Sequence, residues 1–168
     1  LLLLGLLVLQ HESFANRPLR LRVSRRAVGW VFALLVVQMA LGGWVSTNYA
    51  VLACTGFPAC NGEWWPAMDV GHGFTILREL GRAGHGGFLP FDALVAIHMA
   101  HRLFALVATA ALLWLMAGLW RDASVAARRY ALALLGLVVL QVGTGLWSVV
   151  LDWPLVAALA HTAGASAF

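Results

Sequence analysis

Residues 27–50 read AVGWVFALLVVQMALGGWVSTNYA, about 24 positions without a charge. A helix rising 1.5 Å per residue needs about 20 apolar residues to cross roughly 30 Å of hydrocarbon, so this stretch is long enough to span a bilayer. Two others qualify: Ala93 to Trp120, interrupted by one His-Arg pair, and Tyr130 to Leu151, again uncharged. A fourth apolar run begins after Pro154 and reaches Phe168 in about 14 residues, too few to cross. Leu1 to Gln10 is apolar as well, but as a helix would cover only about 15 Å. No basic segment precedes it and no small-residue cleavage site follows, so it does not read as a signal peptide. Both ends are expected to be cut through membrane helices of a longer polytopic protein.

Composition supports the same class. The 168 residues are 62% hydrophobic and 11% charged, with a mean hydropathy of +0.86. A soluble domain carries about a quarter charged residues, which excludes a water-soluble globule, and low charge also excludes disorder. Two cysteines are too few for a disulfide scaffold. The net charge of +4 rests on arginine alone, because the chain has no lysine. These arginines flank apolar runs instead of forming a basic domain, so nucleic acid is not an expected partner, whereas membrane lipid is. The fold class is all-α, a polytopic transmembrane helix bundle. Residues 1–26 are expected to hold the end of a truncated helix plus a basic loop. Residues 27–168 are expected to form a four-helix membrane bundle whose last helix is truncated.

Arginine asymmetry sets the expected orientation. Arg17, Arg20, Arg22, Arg25 and Arg26 precede the first full span, and Arg121, Arg128 and Arg129 join the second to the third. The positive-inside rule makes that side cytoplasmic and puts the long connection, residues 51–92, on the outer face with the turn Asp152-Trp153-Pro154. Trp44, Trp64, Trp65, Trp147 and Trp153 gather near the outer boundary, where amphipathic rings prefer to sit. Cys54 and Cys60 lie within the outer loop. A disulfide persists outside the cytoplasm and is the favoured reading; two free thiols or a metal pair are the alternatives.

The first and third spans share a pattern. Gln38, Gly42 and Trp44 recur as Gln141, Gly145 and Trp147, and each set precedes an outer turn and a span bearing histidine. The unit is a helical hairpin used twice. Gly42, Gly43, Gly143 and Gly145 read as close-packing positions between helices. A buried amide in hydrocarbon needs a partner, so the glutamines ask for more.

Of the six histidines, His11, His72 and His85 fall in loops and read as solvated. His98, His101 and His161 fall within apolar spans, where histidine is costly enough to mark a functional site. His101 lies about eight residues, or ~12 Å, below the outer surface, and His161 about seven residues, or ~10 Å, below it. Two histidines on different helices at one depth suit the axial positions of a single iron, with small residues around His161 leaving room for a macrocycle. The alternative is a hydrogen-bonded pair of core histidines. His98, one turn from His101, is placed to serve as a supporting group, a proton relay or a propionate contact. Arg102 is the one charge deep in these spans and should have an anion partner, either a propionate or an acidic neighbour.

Taken together, Gly42-Gly43-Trp44-Val45-Ser46-Thr47-Asn48-Tyr49-Ala50, Cys54-Thr55-Gly56-Phe57-Pro58-Ala59-Cys60-Asn61-Gly62, Trp64-Trp65-Pro66, Ile97-His98-Met99-Ala100-His101-Arg102 and Ala160-His161 resemble the haem A synthase family of cytochrome oxidase assembly. The resemblance runs from about Ala27 to Gly164. It implies an eight-helix membrane enzyme of two similar four-helix halves, which oxidises a methyl group of haem O to the formyl group of haem A. It further implies that this chain is the second, C-terminal half, whose histidine pair binds a haem b. The matching positions are His101 and His161 as iron ligands, with Arg102 and His98 beside them, and Cys54 with Cys60 as the outer-loop pair. In the family's first half a glutamate stands three residues before the histidine-arginine motif and is implicated in catalysis; here that slot is His98, so no catalytic residue is placed on this chain. Implied partners are haem O, an electron donor, and haem O synthase or oxidase assembly factors, in a bacterial cytoplasmic or mitochondrial inner membrane. A bis-histidine cytochrome b that only transfers electrons, and a structural subunit whose histidines hydrogen-bond, are the other readings.

Overall fold

The computed structural model describes residues 2–11, 23–83 and 87–168. Its regular elements are helices, and no strand forms among the described residues. The elements are α1 (Leu2–His11), α2 (Arg25–Thr47), a 3-10 turn (Ala50–Leu52), α3 (Val70–Gly73), α4 (Phe91–Trp120), α5 (Val125–Val150) and α6 (Leu155–Ala167). Three of these, α2, α4 and α5, are long and apolar enough to cross a membrane. At 1.5 Å per residue α4 extends about 45 Å. Large apolar side chains such as Trp30, Leu106, Trp114 and Val139 face outward, as expected where the solvent is lipid and a helix satisfies its own backbone.

Local chemistry fixes the ends. Ser24 caps α2 by accepting from the Ala27 amide at 3.2 Å, and Ser124 does the same for α5 through Ala127. At the other end of α2 the Asn48 side chain donates to the Trp44 carbonyl at 2.9 Å, and Tyr49 turns the chain left-handed. Asp152 and Trp153 are both left-handed, and the Trp153 amide donates to Ser148 O at 2.8 Å, which closes the expected tight turn into α6. The helices thus start or stop within a few residues of the apolar windows.

Chain order is also spatial order. Helix α2 packs on α4, α4 on α5 and α5 on α6, giving two hairpin-like pairs. The larger core cluster gathers Val28, Leu35, Leu112, Leu115, Leu119, Leu134 and Val138. Leu4 and Leu7 of α1 join it beside Phe168, and the Leu4 amide donates to the Phe168 carbonyl. His11 closes α1 instead of lying in a loop, because the apolar run stays helical one residue beyond Gln10. Arg17, Arg20, Arg22 and His85 lie outside the described residues.

The long connection is more ordered than a plain loop. It carries the 3-10 turn, α3 and two isolated bridges, Cys60 with Glu63 and Arg82 with Phe88. Helix α3 sits on α4: a methyl group at Gly73 would come within 2.9 Å of the Ala93 carbonyl. Trp44 donates from its indole to Gly73 O at 2.9 Å, and the Arg78 guanidinium lies over the Trp44 ring, 5.5 Å from its centroid.

Candidate metal centre

Helix direction and rise place His101 of α4 and His161 of α6 at the same level, and the structure brings their rings together. The centroids are 6.5 Å apart and the ring planes cross at 80°. A metal about 2 Å from one nitrogen of each ring, with each centroid about 1 Å behind that nitrogen, separates two centroids by about 6 Å. The pair therefore has the spacing of two ligands on one ion. Among the described residues no group of three or more His, Cys, Asp or Glu assembles, so a protein-only cage is not formed.

Each histidine meets the same two features of the long helix before it, a glutamine at its main-chain carbonyl and a glycine at its ring. Gln38 donates from Nε2 to the His101 carbonyl at 3.3 Å, and Gln141 donates from Nε2 to the His161 carbonyl at 2.8 Å. A methyl group at Gly42 would meet His101 Cε1 at 3.1 Å, and one at Gly145 would meet His161 Cε1 at 3.2 Å. In both cases the Cε1–Nδ1 edge is the one against the glycine. The repeat seen in the sequence is thus a histidine seat built twice. Gly43 and Gly143 have nothing within 4 Å of an added methyl, so only one glycine of each pair serves close approach, and it approaches an imidazole.

The ring nitrogens differ between the seats. His161 Nδ1 lies 3.1 Å from the Gln141 carbonyl, which only accepts, so Nδ1 carries the proton and Nε2 keeps its lone pair. Thr144 Oγ1, also 3.1 Å from Nδ1, donates its own proton to Leu140 O and shares the acceptance. Thr144 was not singled out from sequence; its place three residues after Gln141 on the same helix face was the available signal. The His101 ring instead meets the side-chain amide of Gln38, whose Nε2 lies 3.1 Å from Nδ1 and 3.4 Å from Nε2 of the imidazole.

His98 lies one turn from His101, is 5% exposed and hydrogen-bonds the backbone of Ala50. Its Nδ1 has no hydrogen-bond partner among the described residues. Arg102 does not meet an acidic side chain among them. Its guanidinium donates to Cys54 O at 2.9 Å and to Ala59 O at 3.4 Å, because main-chain carbonyls of the connecting loop converge there. Cys54 and Cys60 form a disulfide and are buried against Val95 and Met99 of α4. Asn61 braces that ring, accepting from the Thr55 amide and donating to Ala53 O. His72 is exposed, as expected, and pairs with Asp69 at 2.6 Å.

The family model of cytochrome oxidase assembly proteins, COX15-CtaA, matches residues 1–168. The chain belongs to that family. Among its relatives, the heme A synthase of Shewanella oneidensis is 34% identical, over 98% of this chain and 51% of that protein. The heme A synthase of Caulobacter sp. strain K31 is 32% identical, over 92% of this chain and 43% of its own length. That of Methylobacterium nodulans is 35% identical, over 86% and 37%. The chain thus spans about half, or less, of the length of the curated relatives it matches. No solved structure matches it significantly.

Proposed function

We propose that this chain is the haem-binding, C-terminal half of a membrane haem A synthase, an oxidoreductase of monooxygenase type that converts the methyl group of haem O to a formyl group for cytochrome oxidase assembly. His101 and His161 would hold the iron of a haem b. The observation that carries the reading is the pair of imidazoles 6.5 Å apart on separate helices, each seated by a glutamine and a glycine of the helix before it.

The residues fit such a group on three counts. The centroid spacing suits two ligands on one iron. The main-chain carbonyl of Gln141 holds the proton of His161 on Nδ1 and leaves Nε2 for the metal, the usual outer partner of a metal-bound histidine. Gln38 Oε1 is buried beside His101 with no hydrogen-bond partner among the described residues, a free acceptor next to the ring. A bound haem b supplies a one-electron redox centre. Around it, Arg102 spends two contacts on the disulfide loop and retains further N–H donors for a propionate. His98, buried one turn away with its Nδ1 unpartnered among the described residues, would be a second polar contact on the same side. The disulfide loop packs on α4 beside Arg102.

Electrons require a donor, and haem O has to be delivered, so an electron-transfer protein and haem O synthase or other oxidase assembly factors are the expected partners. The eight arginines on one side of the spans support a cytoplasmic assignment for that side, with residues 51–92 on the outer face of a bacterial cytoplasmic membrane or its mitochondrial counterpart.

The test is the reduced-minus-oxidised spectrum of the natural protein in detergent, with pyridine extraction to identify the haem. His101→Ala and His161→Ala are expected to lose a low-spin b-type band that His72→Ala keeps. An unaltered band in His101→Ala would show the ligand assignment to be wrong. Conversion of added haem O to haem A separates a synthase from a cytochrome b that only transfers electrons.

A further inference from the structure

At the arginine-rich end of the bundle, far from the histidine pair, a groove of about 310 Å³ runs between the last turns of α4 and the early turns of α5. Met116 and Ala131 are buried and form its floor, while Leu113, Trp120 and Leu132 are about half exposed and stand as its walls. All of its lining is apolar except Arg121, which closes α4.

The guanidinium of Arg121 has no hydrogen-bond or ion-pair partner among the described residues. The adjacent acid is turned away from it: Asp122 is 6% exposed, and its Oδ1 accepts from the Ser124 amide at 2.9 Å. Across the groove Arg128 stands one turn before Ala131 and Leu132, on the same stripe of α5. Its Nε donates to the Asp122 carbonyl at 3.4 Å, so a second positive charge is held near the mouth.

Depth gives the groove a direction. Exposed Trp120 beside Arg121 marks the level of the lipid headgroups. Leu113 lies two turns, or about 10 Å, deeper, where one leaflet of hydrocarbon is about 15 Å thick. An apolar slot that follows a leaflet inward from a cation at headgroup level has the outline of a phospholipid. A helix of a neighbouring protein laid over the walls would have to bring an acid to Arg121 at that level, whereas an anionic phospholipid carries its charge there already.

We propose that this groove binds one anionic phospholipid, with an acyl chain along Met116 and Leu132 and the headgroup phosphate on Arg121, Arg128 standing beside it. Basic pockets between helices at this end of a membrane protein suit such headgroups. The site is separate from the histidine pair and does not depend on what that pair holds.

The experiment uses the natural protein in detergent. Native mass spectrometry counts the lipid retained from added phosphatidylglycerol, or from phosphatidylcholine with the same acyl chains. Wild type is expected to retain one phosphatidylglycerol in preference to phosphatidylcholine. Arg121→Gln is expected to weaken phosphatidylglycerol binding about 5-fold, the equivalent of about 1 kcal/mol for one arginine at the surface, and to leave phosphatidylcholine unchanged. Ala117→Phe fills the slot and is expected to lower the binding of both. Arg26→Gln removes an exposed charge at the start of α2, outside the groove, and is expected to change neither. Equal retention of the two lipids by wild type, or an unchanged preference in Arg121→Gln, would overturn the proposal. So would an equal loss in Arg26→Gln, which would leave only a general attraction of positive charge. Failure of wild type to retain any phosphatidylglycerol would overturn it too, and would assign the groove to another part of the natural protein. Should Ala117→Phe fail to fold, Arg121→Gln against Arg26→Gln still decides.

Discussion

Arg102 donates through Nη2 to the carbonyl of Cys54 at 2.9 Å, so the residue next to one candidate ligand fastens the disulfide loop to α4. A guanidinium within an apolar span needs partners for its donors, and carbonyls pointing inward from a tight loop supply them without adding a second charge. The Cys54–Cys60 ring is in turn buried against Val95 and Met99. Covalent closure shapes the loop, and Arg102 decides where it sits.

These two roles are separable. Replacing both cysteines with alanine should cost about 2 kcal/mol through the extra freedom of the unfolded loop. The loop should stay docked, because the Arg102 contacts are to main-chain atoms. Arg102→Leu keeps the ring closed but leaves the carbonyls unpaired, at about 1.5–3 kcal/mol. Hydrogen exchange across residues 53–61 should rise more in Arg102→Leu than in the double cysteine variant. Equal protection in Arg102→Leu and wild type would remove the anchoring role.

Helix α3 should respond to acid through Asp69. Its carboxylate accepts from the His72 amide at 3.0 Å and faces His72 Nδ1 at 2.6 Å, and these bonds, the amide first, hold its pKa below the ordinary value. A group held down in this way stabilises the folded form above its unfolded pKa, and the contribution fades as pH falls through the lower folded value. Since Asp69 caps a helix of four residues, protonation should loosen α3 locally without unfolding the bundle. Trp44 reports on it through the bond to Gly73 O. The fluorescence difference between wild type and Trp44→Phe should change on acidification to below ~pH 4, and Asp69→Asn should abolish the change.

Much of the fold was legible because hydrocarbon imposes a length. The three long spans follow from apolar runs of about 20 residues or more, and their ends shift by a few residues where Ser24, Asn48, Pro90 and Ser124 cap the helices. Equal depth of His101 and His161 was legible for the same reason, from rise per residue and direction of travel. What was not legible depends on helix rotation and loop path. Gly42 read as a helix-packing glycine because nothing in sequence says which neighbour it faces. The partner of Arg102 read as an anion because the inward carbonyls exist only once Gly56, Asn61 and Gly62 turn left-handed.

The tryptophans of the repeat show how far identical spacing can mislead. Trp44 is half-buried, donates to Gly73 O and lies under Arg78, whereas Trp147 is 46% exposed on the bundle surface. Trp44→Phe keeps a ring beneath the guanidinium but loses the indole bond, which should cost about 1 kcal/mol. Trp147→Phe should be close to neutral. Thermal unfolding in detergent distinguishes them, and equal shifts would mean that the loop contact of Trp44 contributes nothing.

The four glycines of the repeat offer the sharpest comparison, because each substitution has a control one or two residues away. Glycine in a helix interior is less favourable than alanine by about 0.5–1 kcal/mol, so Gly43→Ala and Gly143→Ala, with open space around the new methyl, should stabilise slightly. Gly42→Ala and Gly145→Ala gain the same backbone term but drive a methyl to 3.1 and 3.2 Å from the Cε1 of a histidine. Neither ring can drift freely: His101 is tied to Gln38, and His161 to Gln141 and Thr144. The rings should therefore tilt away from their common axis, and haem retention should fall even though the helices remain intact. The checks are circular dichroism for helix content and the optical band for haem in all four variants. Retention equal in Gly42→Ala and Gly43→Ala would mean that the glycine serves helix packing after all and that the seat does not position the ring.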